Sequence, residues 1–321
     1  MSTSLQRRQF GSTELRTPPI AVGCAQMGDM IDAFGYGVSE ADAISTLIEA
    51  LSGPIDYIDT AAFYGDGESE RRVGLALKEL GGLPAGAVLQ TKVGRDPKTN
   101  IYTGDVLRER MERSLRLLGV DSVDVVYLHD AEWTTFADAI APGGPVEALR
   151  SFKEQGLTRY IGVASGPNDV ELQYIETGMF EAVITHNRYT LLNTNANPVI
   201  DAAHQRGMAV LNAAPYGSGI LARGPETYPR YAYQQASPEL IERTVALRGI
   251  SEKHGVPLAA VALQFSSLDP RIDVTIVGMS RPERLTKTIE YASIDIPQAL
   301  WDEVNALPPM PAGDPEESRW K

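Results

Sequence analysis

Short hydrophobic runs alternate along this chain with longer segments in which apolar residues recur every three or four positions. The runs are continuously apolar rather than strictly alternating, which is typical of parallel strands covered on both faces. The pattern predicts strands that end near Gly23, Asp59, Lys92, His129, Ala164, His186, Ala213 and Val277.

The segments between these runs have the period and the end signals of amphipathic helices. The clearest spans residues 103–118, where Thr103 is a suitable N-cap and Gly119 follows the last turn. Its polar face carries Glu109 and Arg113, four residues apart and of opposite charge. Further helices are predicted over 39–51, 68–80, 145–155, 168–177, 196–206, 238–254, 257–268 and 281–291.

This alternation of strands and helices predicts an α/β protein, a (β/α)8 TIM barrel, formed as a single domain over residues 1–321. A doubly wound open sheet is the alternative, but the first strand is followed by GCAQMGDM, which lacks the GxGxxG fingerprint. The start, RRQFGSTELRTPPI, predicts a short N-terminal β-hairpin that closes the barrel floor. The proline-rich tail LPPMPAGDPEESRWK is expected to lie extended over the surface.

Composition narrows the possible partners. Of 321 residues, 29 are Lys or Arg and 42 are Asp or Glu, which leaves a net charge of −13. This balance argues against nucleic acid and anionic membrane surfaces, since both require clustered positive charge. The single cysteine, Cys24, excludes an intrachain disulfide. The sequence shows neither the apolar core of a signal peptide nor the roughly 18 apolar residues of a membrane span, so we expect a cytoplasmic protein with a small-molecule substrate.

Polar residues at the predicted strand ends offer candidate chemistry, because the C-terminal ends of barrel strands meet at one face. Asp59 and Lys92 end neighbouring strands and could form a buried ion pair, with Tyr64 five residues beyond Asp59. A nearby ammonium favours the phenolate, so we expect a lowered pKa for Tyr64, which could then shuttle a proton. His129 could orient a substrate oxygen. Each of these residues alone could instead be a turn cap or a satisfied structural group.

The motifs around these residues carry a resemblance. IDYIDTAAFYGDGESERRVG holds Asp59 and Tyr64, QTKVGR holds Lys92, and VDVVYLHDAE holds His129. Together they resemble the aldo-keto reductases, with finer motifs similar to the sugar dehydrogenase branch. The resemblance implies that Tyr64 is the general acid or base, tuned by Lys92 and Asp59, while His129 aligns the substrate oxygen. It also implies a nicotinamide cofactor that exchanges hydride directly with the substrate, and without an HxH or HExxH pattern no metal is expected.

The same resemblance implies cofactor contacts at the ends of the fifth to eighth strands. Ser165 and His186 would meet the carboxamide, and Tyr216 would stack on the nicotinamide or simply pack beneath its loop. A run of glycine and serine would let backbone amides approach the pyrophosphate. The predicted set is Ser165, His186, Pro215, Tyr216, Gly217, Ser218, Gly219, Leu221, Gly278, Ser280 and Arg284.

Signals for the choice of cofactor are mixed. Arg284 falls where members of the resembled family bind the adenosine end at a helix N-terminus, although it could also be a plain solvated charge. The Lys of strongly NADPH-selective members is Gly278 here, and Lys287 could partly replace it. The sequence therefore favours NAD and leaves NADP possible.

Substrate selection is the least determined feature. Gln26, Met27, Phe63 and Trp133 are predicted to line the substrate pocket, and Trp320 in the tail could reach it. One hypothesis is a dehydrogenase that oxidises an aldose at the anomeric carbon to a lactone. The second is an aldehyde or ketone reductase, or a pyridoxal dehydrogenase, that uses the same residues. The third is a nicotinamide-binding regulatory subunit, against which the complete catalytic set argues.

Overall fold

The chain forms a closed barrel of parallel strands. The structure is a computed structural model, and it describes residues 5–310 and 313–316. The strands are β1 (Ile20–Gly23), β2 (Tyr57–Asp59), β3 (Val88–Val93), β4 (Val123–His129), β5 (Thr158–Ala164), β6 (Ala182–His186), β7 (Ala209–Ala213) and β8 (Val274–Gly278). Each strand pairs with its neighbours in sequence, and β8 pairs with β1 to close the barrel. The predicted (β/α)8 barrel is confirmed, and the open doubly wound sheet is wrong.

The barrel register gathers the strand ends that carry polar residues. Gly23 pairs with Asp59, Asp59 pairs with Gln90, and Lys92 lies two residues further along β3. Because all eight strands run in the same direction, their carboxyl ends meet at one mouth.

Ten helices of eight residues or more surround the barrel in the described chain. Nine lie close to predicted positions, whereas the last, Gln298–Asn305, was not predicted. They are α1 (Glu40–Leu51), α2 (Glu68–Leu80), α3 (Gly104–Leu118), α4 (Pro145–Glu154), α5 (Asn168–Glu176), α6 (Asn197–Gln205), α7 (Pro238–Lys253), α8 (Leu258–Ser267), α9 (Pro282–Ser293) and α10 (Gln298–Asn305). Thr103 caps α3 as predicted, since its hydroxyl accepts a hydrogen bond from the Val106 amide. Arg113 contacts Asp66 at 2.8 Å rather than Glu109, because the loop after β2 brings that carboxylate over α3. No described helix has the length and apolarity required to span a membrane.

The floor of the barrel is closed by the predicted N-terminal hairpin. Arg8–Gln9 pairs antiparallel with Arg16–Thr17. The hairpin turn inserts Phe10, which is fully buried and packs edge-on against Tyr57 with ring centroids 6.5 Å apart. Apolar side chains therefore fill the floor, and the open end of the barrel is the mouth.

Loops after β1 and β7 extend over the mouth. The first contains a 3-10 turn, Ala25–Gly28, and a short helix, Ile31–Phe34. The second contains a 3-10 turn, Gly217–Gly219, the helix Ile220–Arg223, and a small hairpin that pairs Arg230–Tyr231 with Gln234–Gln235. The rings of Phe34 and Tyr233 meet between the two loops, with centroids 6.3 Å apart.

The C-terminal tail does not simply lie on the surface, and that expectation is wrong for its last described residues. Glu316 is fully buried, and Asp314 forms an ion pair with the fully buried Arg188 at 2.7 Å. The tail returns to the mouth because Arg188, in the loop after β6, needs carboxylates to compensate its buried charge. Trp320 lies outside the described residues.

Candidate active site

A cavity of about 500 Å³ opens at the carboxyl ends of the strands. Among its lining residues are most of those predicted for the site, namely Gln26, Asp59, Phe63, Tyr64, Lys92, His129, His186, Pro215, Tyr216, Ser218, Gly219, Gly278, Ser280 and Arg284. The barrel register therefore brings together residues that are more than 200 positions apart in sequence.

Lys92 is the centre of a buried polar cluster at the base of this cavity. Its Nζ donates hydrogen bonds to Asp59 Oδ1 at 2.6 Å, to the Thr60 carbonyl at 2.9 Å and to Tyr64 Oη at 3.2 Å. Asp59 and Lys92 are each only 3% exposed, so their charges lie almost entirely out of water. An ammonium has three protons to donate, and all three are used here.

A second layer of hydrogen bonds below Asp59 fixes the position of its carboxylate. Gln90 Nε2 donates to Asp59 Oδ1 at 2.6 Å, and Gln90 Oε1 accepts from the Tyr57 hydroxyl. Sequence reasoning missed these two buried residues. Their spacing was the available signal. Gln90 lies two residues before Lys92 on β3, and Tyr57 lies two residues before Asp59 on β2. Residues two apart on a strand point to the same face, so each pair shares one face.

Tyr64 is held by a close approach of two loops. The turn after β2 packs its backbone onto that of Gly28 in the loop after β1, and Gly65 has a positive φ of 62°. A Cβ on Gly65 would lie 1.9 Å from the Gly28 carbonyl oxygen, so no other residue fits without displacing one of the loops. Gly65 thus permits the close packing of the two loops beside Tyr64.

The protonation of Tyr64 differs from the expectation. Burial, together with the negative charges of Asp59 and Asp130, raises the pKa of the Tyr64 phenol well above its ordinary value. The Lys92 ammonium does not reverse this shift, because Asp59 at 2.6 Å balances its charge. The phenol therefore keeps its proton at neutral pH.

His129, at the end of β4, completes the cluster. Its ring meets Tyr64 edge-on, with centroids 5.7 Å apart, and Nε2 lies 3.5 Å from Asp130 Oδ1. Burial and the Lys92 charge lower the pKa of His129 well below its ordinary value, so the imidazole is neutral at physiological pH. A neutral imidazole can donate one hydrogen bond to a substrate oxygen without adding charge.

Some predicted contact residues have side chains that do not line the cavity. Met27 is buried in the core, and Leu221 is buried in the apolar cluster under α7 and α8. Ser165 is buried and donates to Glu132 at 2.6 Å, while Gly217 backs onto the ring of Tyr231. For these four residues, contact with a ligand stays a prediction.

Trp133 also lies outside the cavity lining, where it forms one side of an aromatic clamp. Its ring lies 3.9 Å from the Arg95 guanidinium, and Phe63 lies 4.6 Å from the same group. Arg95 Nε is buried without a hydrogen-bond partner among the described residues. The clamp supports the cavity wall formed by Phe63, and Trp133 as a direct substrate contact stays a prediction.

Two arginines also line the cavity. Arg223 and Arg284 both line it, and neither has a carboxylate within ion-pair distance in the described part of the chain. Arg223 lies between the rings of Tyr36 and Tyr228, at 4.9 and 5.0 Å. Lys287 is already paired with Glu290 at 2.7 Å. Sequence reasoning missed Arg223 and Tyr36 because neither stands at a strand end.

His186 lines the cavity near the C-terminal tail. Its Nε2 lies 3.0 Å from Glu316 Oε1, and its ring lies beside that of Tyr233 with centroids 6.4 Å apart. Among the described side chains, no three or more His, Cys, Asp or Glu residues are grouped so that they could hold a metal ion.

Comparison with known proteins adds four findings. Residues 19–308 match the Aldo/keto reductase family. The chain is 31% identical over 317 residues to D-threo-aldose 1-dehydrogenase from a Pseudomonas species, which covers 90% of this chain and 94% of that protein. It is 27% identical over 314 residues to L-galactose dehydrogenase from Arabidopsis thaliana, which covers 95% of both. The holo form of an aldo-keto reductase from Bacillus halodurans has the same fold, with a TM-score of 0.76, 23% identity, and coverage of 94% of this chain and 95% of that one.

Proposed function

The chain belongs to the aldo/keto reductase family, and on that premise we propose that this oxidoreductase oxidises an aldose at its anomeric carbon to a lactone. The observation that carries the proposal is the contact of Lys92 Nζ with both Asp59 Oδ1 and Tyr64 Oη. Similarity to D-threo-aldose 1-dehydrogenase and L-galactose dehydrogenase supports a sugar as the substrate.

The residues of the cavity fit a nicotinamide dinucleotide. Arg223 and Arg284 provide guanidinium groups free of carboxylate partners in the described chain, and guanidinium is well suited to phosphate. Gln26 lines the same cavity, and its Oε1 has no hydrogen-bond partner among the described residues, so it can accept a hydrogen bond from a ligand. A dinucleotide held by these residues would supply the hydride acceptor.

Residues of the chain itself would accept the proton that the substrate loses. In the oxidation, the anomeric C–H bond loses a hydride, the hydroxyl loses its proton, and a carbonyl forms. We assign the proton to Tyr64, whose phenolate is stabilised by Lys92 Nζ at 3.2 Å, and the alignment of the hydroxyl to neutral His129. Asp59 and Gln90 hold Lys92 in place beneath.

A second candidate function follows from the protonation of Tyr64. The raised pKa of the phenol favours its acid form, which is the form needed to protonate the oxygen of an aldehyde or ketone during reduction. The same site could therefore act as a carbonyl reductase, or on pyridoxal, with the roles of Tyr64 reversed. The two candidates differ in the direction that is faster near neutral pH.

Regarding the dinucleotide, we propose NAD as the preferred cofactor, with NADP tolerated. A 2′-phosphate adds roughly two negative charges that need a Lys or Arg. Lys287 is paired with Glu290, which leaves Arg284 as the clearest candidate at the adenosine end. One charged hydrogen bond contributes about 1.5 to 3 kcal/mol, which permits NADP use without making it exclusive.

The proposed function is tested by a substrate screen with both cofactors. Free aldoses, pyridoxal and simple aldehydes and ketones are assayed in both directions by the absorbance of the reduced nicotinamide, and the sugar product is identified as a lactone by NMR. The Tyr64→Phe variant is the control for proton transfer at the site. Turnover of carbonyl compounds without any aldose oxidation would favour the second candidate, and tight cofactor binding without turnover would contradict both.

A further inference from the structure

The C-terminal tail inserts a carboxylate into the wall of the active-site cavity. Glu316 is fully buried, and its Oε1 accepts from Arg188 Nη1 at 3.2 Å and from Asn187 Nδ2 at 3.4 Å. The same oxygen lies 3.0 Å from His186 Nε2. Of these three neighbours in sequence, His186 is the one whose side chain lines the cavity.

Hydrogen bonds and ion pairs hold the tail in this position. Asp314 forms a two-pronged pair with Arg188, with Nε–Oδ2 at 2.9 Å and Nη2–Oδ1 at 2.7 Å, and its Oδ1 also accepts from the Glu316 amide at 2.8 Å. Gln234, in the hairpin over the mouth, donates to the Pro315 carbonyl. Arg188 in turn donates to the His186 carbonyl at 3.2 Å. Glu316 is thereby fixed relative to His186.

The arrangement determines the tautomer of His186. A carboxylate accepts hydrogen bonds and does not donate them, so the nitrogen that faces Glu316 must carry a proton. A neutral imidazole protonated at Nε2 presents Nδ1 as an acceptor.

The carboxamide of the proposed dinucleotide carries an NH2 group, which needs a hydrogen-bond acceptor of this kind. Of the two side chains predicted to meet it, Ser165 is buried away from the cavity lining and donates its hydroxyl to Glu132, whereas His186 lines the cavity. We infer that Glu316 is a positioning residue that holds His186 with Nδ1 as the acceptor for the carboxamide NH2 of the nicotinamide. This inference rests on the proposed dinucleotide site.

The test compares NAD with 3-acetylpyridine adenine dinucleotide, in which a methyl group replaces the carboxamide NH2. Dissociation constants of the reduced forms are measured by quenching of tryptophan fluorescence, which requires no substrate, and KM and kcat are measured on any substrate identified. In Glu316→Ala and in His186→Ala we expect binding and KM for the natural cofactor to weaken about 3- to 10-fold, the scale of one hydrogen bond, with kcat nearly unchanged. For the acetylpyridine analogue, we expect the variants to equal the wild type within about 2-fold.

Three further variants sharpen the test. The double variant of His186 and Glu316 should be no weaker than either single variant, because both changes remove one interaction. Glu316→Gln keeps an acceptor oxygen of the same shape and should restore NAD binding. Glu303→Ala is the matched control, since Glu303 also pairs with a histidine, His254 at 2.8 Å, but lies away from the cavity. It should change neither constant.

Several outcomes would overturn the inference. An equal loss for NAD and the analogue in Glu316→Ala would mean that the tail merely stabilises the mouth. Additive losses in the double variant, or no loss in either single variant, would separate Glu316 from His186. His186→Ala alone suffices if Glu316→Ala does not fold, because undiminished NAD binding there removes the proposed acceptor. A wild-type protein that binds dinucleotides normally without turnover contradicts only the proposed reaction, whereas one that binds none contradicts both.

Discussion

Replacing Lys92 by Met separates the structural role of the buried pair from its chemical role. The substitution preserves most of the side-chain volume but leaves Asp59, 3% exposed, without the ammonium at 2.6 Å. Breaking a buried ion pair by removing one partner costs about 3 to 5 kcal/mol. Because Asp59 retains the hydrogen bond from Gln90 at 2.6 Å, we expect the lower end, about 3 kcal/mol of unfolding free energy.

The double variant Asp59→Asn with Lys92→Met completes the experiment. A neutral pair leaves no uncompensated charge, so we expect it to recover stability to within about 1.5 kcal/mol of the wild type. Turnover should stay about 100-fold or more below the wild type in both variants, because Tyr64 Oη has lost the donor at 3.2 Å that stabilises its phenolate.

Urea unfolding followed by circular dichroism gives the stability, and the substrate identified in the screen gives the turnover. Lys253→Met is the matched control, because Lys253 is 65% exposed and its pair with Glu303 should contribute at most about 1 kcal/mol. A loss of less than about 1 kcal/mol in Lys92→Met, or a double variant no more stable than the single one, would refute the burial argument.

Further outcomes follow from the site. Because burial raises the pKa of the Tyr64 phenol well above its ordinary value of about 10, the rate of oxidation should still be rising with pH at about pH 10 while the rate of reduction stays level; a bell-shaped profile centred near neutrality would contradict this. Tyr64→Phe should lower kcat at least about 100-fold with cofactor binding unchanged. Arg284→Ala should reduce kcat/KM for NADP more than for NAD, and a hundredfold preference of the wild type for NADP would show that the pocket is misjudged. Cys24 is fully buried with a thiol pKa raised by burial, so iodoacetamide should label it only in denaturant, as mass spectrometry will show. Gly65→Ala should lower activity more than Gly81→Ala, since Gly81 also has a positive φ but an added Cβ there meets no atom of the described residues within 4 Å.

The sequence predicted the strands and helices, because their positions depend on residues close together in the chain. Each strand end was placed within one residue, since a change from an apolar run to a polar residue marks the point where a barrel strand leaves the core. Parallel strands in chain order then carried Asp59, Lys92 and His129 to one face, because the barrel topology allows no other arrangement.

The parts that were missed depend on contacts distant in sequence. Glu316 meets His186 across 130 positions, and no local pattern in a proline-rich tail indicates that it folds back to the mouth. The pKa of Tyr64 was misjudged for a related reason. Its direction depends on the depth of burial and on how closely Asp59 balances Lys92, and neither quantity can be obtained from residue order.

The catalytic residues and the loops over the cavity mouth follow different strands of the barrel, so substrate specificity can change separately from the catalytic residues. Asp59, Tyr64, Lys92 and His129 come from β2, β3 and β4 or from the loop directly after β2, whereas the loops that meet through Phe34 and Tyr233 follow β1 and β7. Insertions and substitutions in the outer parts of those two loops can therefore change which molecules enter without disturbing the residues that handle the proton. Directed evolution toward a new sugar should thus begin in residues 29–39 and 224–237, which leaves intact Gly28, packed against Gly65 beside Tyr64, and Arg223 in the cavity lining.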